Sequence, residues 1–154
     1  LVPGETTQEM LDASMAASDD ADIFIGAAAV VDFRPESVAT QKIKREGSTT
    51  MDLKLVSNPD IIASIAARQV RPSLVVGFAA ETNDVTTYAR NKLKKKRLDF
   101  IFANDVSDSA IGFNSDSNAG TLISADNDIT MALSSKRVLA ETMIAELAKH
   151  LPET

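Results

Sequence analysis

The sequence predicts an α/β fold, a mainly parallel sheet between helical layers with a β-hairpin extension near the C-terminal side. Three observations carry that expectation. Apolar runs at residues 22–31, 74–80 and 98–103 read as buried strands, stretches of helical spacing separate the last two, and two further strand-like runs flank the short polar segment Ala125-Asp126-Asn127-Asp128. Strand, helix, strand, helix, strand at this spacing requires crossover connections, and therefore parallel pairing. A chain of 154 residues is the size of one domain, so residues 1–154 are expected to share one core.

Each element has a local reason. Residues 6–17 place Met10, Leu11, Met15 and Ala16 at helical spacing and stop at the polar run Ser18-Asp19-Asp20. The apolar run 22–31 follows and ends at Asp32-Phe33-Arg34-Pro35, where proline favours an extended or turn conformation. Residues 36–50 are basic, polar and rich in Ser and Thr, which predicts an exposed, mobile loop leading to a short alternating strand at 51–56. Asn58 is the expected N-cap of the next helix, with Pro59 at its first position and Ile61, Ile62, Ile65 and Ala66 on one face. After Arg71-Pro72 breaks the chain, the second apolar run leads to a helix capped by Thr82 or Asn83 and running to Lys96. Residues 121–124 and 129–133 form the expected hairpin, and Ser134 or Ser135 caps a last helix to about Leu151.

Composition removes several functions. With 44% hydrophobic and 25% charged residues the chain reads as globular, and with no cysteine it has neither disulfides nor thiolate metal sites. No apolar run approaches the ~20 residues that cross a bilayer. The start, Leu1-Val2-Pro3-Gly4-Glu5, lacks the pattern of a signal peptide, so cytoplasmic residence without a membrane partner is expected. A net charge of −6 argues against a nucleic-acid partner. Yet six of the 16 basic residues lie between Arg90 and Arg97 and three more between Lys42 and Arg45. Clumping of this kind marks either a local anion site on an acidic body or two solvated basic faces.

In open parallel sheets, ligands gather at the carboxyl ends of strands, here Asp32-Phe33-Arg34, residues 78–82 and Asn104-Asp105. Neither a G-x-G-x-x-G fingerprint nor a P-loop is present, and the only histidine, His150, lies in the last helical turn. No His or carboxylate cluster has metal-ligand spacing, although Asp32 is able to hold a divalent cation that arrives with phosphates. The small residues Gly26-Ala27-Ala28-Ala29 either let a ligand approach the backbone or pack beneath a helix. On the helix at 84–96, Val85, Tyr88, Ala89 and Leu93 define an apolar face, and Lys92 and Lys96 project onto it. Two inward lysines one turn apart need an anion or room to reach water.

An ordered set of blocks then resembles one family. They are GAAAVVDFRP at 26–35, KIKR at 42–45, NPDI at 58–61, VGFAAET at 76–82, ANDV at 103–106 and GFNSD at 112–116. Together they resemble the bacterial phosphopantothenoylcysteine synthetases over nearly the whole chain. The resemblance implies a Rossmann-like three-layer sandwich and a two-step ligation. CTP and Mg2+ activate the carboxylate of 4'-phosphopantothenate as an acyl-cytidylate, and the amine of cysteine displaces CMP. It implies that Gly26, Ala27, Ala28, Asp32, Lys42, Pro59, Asp60, Ile61, Ile62, Phe78, Lys92 and Lys96 meet the nucleotide, with Asp32 also holding the metal ion. Lys42 would be the catalytic lysine of a mobile K-x-K-K lid, in which Arg45 replaces the last lysine. A homodimer is implied as well. The family's full domain begins with a strand, a glycine turn and an R-x-x-x-N segment whose asparagine acts on the acyl-cytidylate, and these residues do not contain it. Bacterial members commonly follow an FMN-dependent decarboxylase, also outside these residues. The expectation is CTP binding with weak or no ligation by this chain alone; the rivals are a dimerisation module and a general nucleotide-binding regulator.

Overall fold

A computed structural model describes residues 1–45, 47, 49–81, 84–105 and 115–152. Along the chain run α1 (Thr7–Ala17), β1 (Ile23–Gly26), β2 (Phe33–Pro35), β3 (Leu55–Ser57), α2 (Ile61–Ala66) and β4 (Leu74–Glu81). They are followed by α3 (Val85–Lys96), β5 (Phe100–Asp105), β6 (Ser117–Ile123), β7 (Asp128–Ser135) and α4 (Lys136–Ala148). Five strands form one sheet in the order β1-β4-β5-β6-β7, parallel from β1 to β5 and antiparallel thereafter. The expected α/β sandwich and its hairpin extension are both present.

Strand alternation distributes the core. Val75, Ala79, Ile101 and Ala103 face Ile61, Ile65, Ala89 and Leu93 of α2 and α3. Leu74, Val76, Phe100 and Phe102 face Leu139, Met143 and Leu147 of α4. The helices therefore lie in two layers with the sheet between them. At one end of the sheet, Asp99 binds Arg71 through both carboxylate oxygens at 2.8 and 2.9 Å and accepts the Val75 N–H at 2.7 Å. That hydrogen-bonded carboxylate raises the Arg71 pKa, against the effect of burial.

The helix starts show which polar residues do the capping. Thr6 and Glu9 form a reciprocal capping box on α1. Backbone N–H donors of Glu5 and Thr6 hold the Glu9 carboxyl below its ordinary value. Ser135 caps α4 as expected. The α2 expectation needs correction: Asp60, rather than Asn58, is the N-cap, accepting the Ala63 N–H at 3.1 Å, so Pro59 lies outside the helix. Thr82 and Asn83, the expected caps of α3, lie outside the described residues. The described N-cap of α3 is Asp84, in a left-handed conformation and making no side-chain capping bond.

Two strands differ from expectation. The run 22–31 is strand only to Gly26, because beyond it the chain leaves the sheet. The strand expected at 51–56 is confined to β3, which pairs antiparallel with β2 in a separate two-stranded ribbon.

Candidate functional site

Where β1 ends, the departing chain and the start of α2 open a cleft of about 140 Å³. Its lining includes Gly26, Ala28, Asp32, Pro59, Asp60, Ile61, Ile62 and Lys96, eight of the residues that the family resemblance implies at a nucleotide. They come from four separated stretches, and each is delivered by a local feature. Gly26 is the last residue of β1 and pairs in register with Gly77 of β4. A Cβ at Gly26 would meet Ile62 Cδ1 at 2.9 Å, and one at Gly77 would meet the same atom at 3.3 Å. Ile62 therefore rests across two glycines. Of the two roles open for Gly26, packing beneath a helix is the one the fold uses, while its backbone still borders the cleft.

The polar frame is held by Asn58. Its amide donates to the Val31 carbonyl at 2.9 Å and accepts from the Arg34 guanidinium at 3.0 Å, while its backbone N–H donates to the Asp32 carbonyl at 2.8 Å. These bonds tie the 31–34 turn to the start of α2, and so fix Asp32 on the rim. Asp60 uses one carboxylate oxygen to cap α2 and the other to meet Lys96 at 2.9 Å. The end of α3 is thereby pinned to the start of α2.

The remaining expected residues lie elsewhere. Ala27 is exposed beside the cleft without lining it, and Lys42 is exposed on the segment between β2 and β3. Phe78 shares the alternation of Leu74 and Val76, which turns it to the α4 side of the sheet, where its ring meets Phe102 at 5.5 Å. Lys92 projects inward as the helical face predicted, but its ammonium meets Glu81 at the end of β4 at 2.6 Å, beyond the cleft. Lys94, Lys95 and Arg97 are exposed.

Met10, Phe24, Val30, Val31 and Asn58 line the cleft without having been anticipated there. The apolar run of β1 contained a signal for two of them, since its excess length beyond Gly26 had to cover something other than sheet. No described group of three His, Cys, Asp or Glu side chains is arranged to hold a metal ion. Of the two carboxylates at this cleft Asp60 is engaged by Ala63 and Lys96, so a cation there would have Asp32 and ligand oxygens as its partners, a donor set that suits Mg2+ carried by a polyphosphate.

A mainly parallel sheet clad by helices on both faces, with a cleft at a strand's carboxyl end, defines an α/β domain with an open sheet. The family model for the DNA/pantothenate metabolism flavoprotein C-terminal domain matches residues 1–151, and the chain belongs to that family. Over 143 residues it is 49% identical to the Coenzyme A biosynthesis bifunctional protein CoaBC of Vibrio parahaemolyticus, a match covering 92% of this chain and 36% of that protein. Over 150 residues it is 44% identical to CoaBC of Escherichia coli, covering 96% of this chain and 37% of that protein. The chain thus spans little more than a third of the length of these curated relatives. The crystal structure of the C-terminal domain of Coenzyme A biosynthesis bifunctional protein CoaBC superposes with a TM-score of 0.75 at 29% identity, over 96% of this chain and 66% of that one.

Proposed function

We propose that this chain, as a single cytoplasmic domain, binds CTP with Mg2+ for the ligation of 4'-phosphopantothenate to cysteine in coenzyme A biosynthesis. The observation that carries the reading is the convergence of Gly26, Ala28, Asp32, Pro59, Asp60, Ile61, Ile62 and Lys96 on one cleft. That cleft is smaller than the ~300–1,000 Å³ typical of small-molecule sites, so it suits one part of an extended ligand. Asp60 already satisfies the first turn of α2 and places negative charge there, which disfavours a phosphate at that helix end. Base or ribose then belongs beside residues 59–62, and the phosphates along α3 toward Lys96 and Lys92.

In this reading the substrate carboxylate attacks the α-phosphorus of CTP, pyrophosphate leaves, and the cysteine amine displaces CMP from the acyl-cytidylate to form the amide. Lys92 and Lys96 stabilise charge developing on the leaving pyrophosphate, and Lys42 joins them when its segment closes and excludes water. Asp32 holds the Mg2+ that offsets phosphate charge. Phe78 and Ala27 contact the nucleotide only if the ligand extends past the described cleft. Because the chain spans little more than a third of its curated relatives, the complete ligation is proposed for a longer protein, in which FMN belongs to another part. This chain alone is proposed to bind CTP and to ligate weakly or not at all.

A homodimer is part of the proposal, supported by the exposed apolar residues Phe33, Met51, Leu53 and Leu55 on and beside the β2–β3 ribbon. A monomer mass by light scattering would remove that part. The central test is calorimetric titration with CTP and Mg2+. Binding is expected, weakened about tenfold by Lys96→Ala, the affinity equivalent of one charge-assisted contact. No heat at millimolar CTP would overturn the reading.

A further inference from the structure

We propose that Glu81 is a positioning residue of the nucleotide site, holding Lys92 ready for a phosphate; the proposal rests on the CTP reading above. Glu81 is the last residue of β4, at the strand end where ligands of parallel sheets gather. Its carboxylate reaches across eleven residues of chain to Lys92 Nζ at 2.6 Å. The Glu81 side chain is 22% exposed and that of Lys92 44%, so the carboxylate is the better-anchored partner. The basic neighbours Lys94, Lys95 and Arg97 point to solvent.

Lys96 repeats the arrangement one turn on, with Asp60 as its carboxylate at 2.9 Å. The two inward lysines of α3 are therefore tethered to carboxylates on different elements, the end of β4 and the start of α2. An ammonium has three donors, and the bond to Glu81 uses one, leaving others for phosphate oxygens. Residues four apart on a helix lie about 5–6 Å apart at Cβ, a spacing that lets both ammonium groups serve one polyphosphate.

Two effects of Glu81 oppose each other. Its charge repels an incoming phosphate, but at a half-exposed pair that repulsion is screened by solvent and salt. Its grip spares the ligand the cost of ordering a lysine, whose loss of rotamer freedom is among the largest of any side chain. Positioning is therefore the larger effect.

The test is a double-mutant cycle on the 154-residue chain, titrated with CTP and Mg2+, using Glu81→Ala, Lys92→Ala and the pair. Glu81→Ala is expected to weaken CTP binding about five- to tenfold, and to have no further effect once Lys92 is alanine. Glu81→Asp is expected to recover part of the loss. A structural role would weaken binding equally in both backgrounds and would overturn the proposal. Unchanged or tighter binding by Glu81→Ala, while the parent chain binds CTP, would overturn it too. If the parent chain itself fails to bind CTP, the underlying reading falls first, and this distinguishes the two failures. Should Glu81→Ala fold poorly, Glu81→Gln keeps the side chain's volume and acceptor, and is expected to fall between Glu81→Ala and the parent. Binding by Glu81→Gln as tight as the parent's or tighter would overturn the proposal.

Discussion

Replacing Asp60 separates two contributions that meet at one side chain. One oxygen caps α2 at Ala63 and the other pairs with Lys96. Asp60→Asn keeps an acceptor for the cap and removes the charge. The pair is partly exposed, with 30% of the Lys96 side chain and 46% of the Asp60 side chain accessible, so its loss falls in the surface range of about 0.2–1 kcal/mol. Asp60→Ala removes the cap as well, adding about 1 kcal/mol. Because α2 has only six residues and carries the buried Ile61 and Ile65, the lost cap is not absorbed by a longer helix. At about 2–4 °C per kcal/mol for a chain this size, Asp60→Asn should lower Tm by about 0.4–4 °C and Asp60→Ala by about 2–8 °C, the second always the larger. Differential scanning calorimetry distinguishes them. Equal losses for the two variants would refute the capping argument, and no loss for Asp60→Asn would show that the ion pair contributes nothing to stability.

Two further outcomes follow from the fold. A Cβ at Gly120 would lie 2.5 Å from the Ala103 carbonyl oxygen and 2.6 Å from the Phe102 ring, so Gly120→Ala must move backbone. It should cost about 2–3 kcal/mol in urea unfolding, where a smaller loss than 0.5 kcal/mol would show the strands part easily. Glu9, with its pKa lowered by the Glu5 and Thr6 N–H groups, stabilises α1 above its ordinary value of 4.5 and loses that contribution as pH falls through the lower folded value. Amide exchange in the first turn of α1 should accelerate over that acid range relative to the intrinsic rate, and Glu9→Gln should abolish the pH dependence.

Periodic features were legible in the sequence because they depend on a single element's own geometry. The inward placement of Lys92 and Lys96 follows from 100° per residue, and the β6–β7 hairpin from two apolar runs across a polar turn. Features that depend on two distant segments were not. The β2–β3 ribbon pairs three residues with three others across a gap whose composition reads as loop, and Pro35 reads as turn. Asn58 and Asp60 both qualify as caps around Pro59, and the choice is made by tertiary partners: Val31 and Arg34 engage the Asn58 side chain, leaving Asp60 for the helix. The carboxylate partners of the two lysines were equally out of reach, since Glu81 and Asp60 approach α3 only after β4 and α2 have packed. The side of the sheet that Phe78 takes was legible as well, because its parity with Leu74 and Val76 assigns it to the α4 face.

The seat of Ile62 on Gly26 and Gly77 has a mechanical consequence. The gap between α2 and the sheet is gauged by bare main chain, with the Ile62 tip as the spacer behind the cleft wall formed by residues 59–62. Alanine at Gly26 would place its Cβ 2.9 Å from the Ile62 tip and oblige that tip to turn, whereas alanine at Gly77 would first meet Leu98 Cδ1 at 2.8 Å. The room this wall has for added volume is thus set by how far the Ile62 and Leu98 tips can turn, above two positions that carry no side chain of their own.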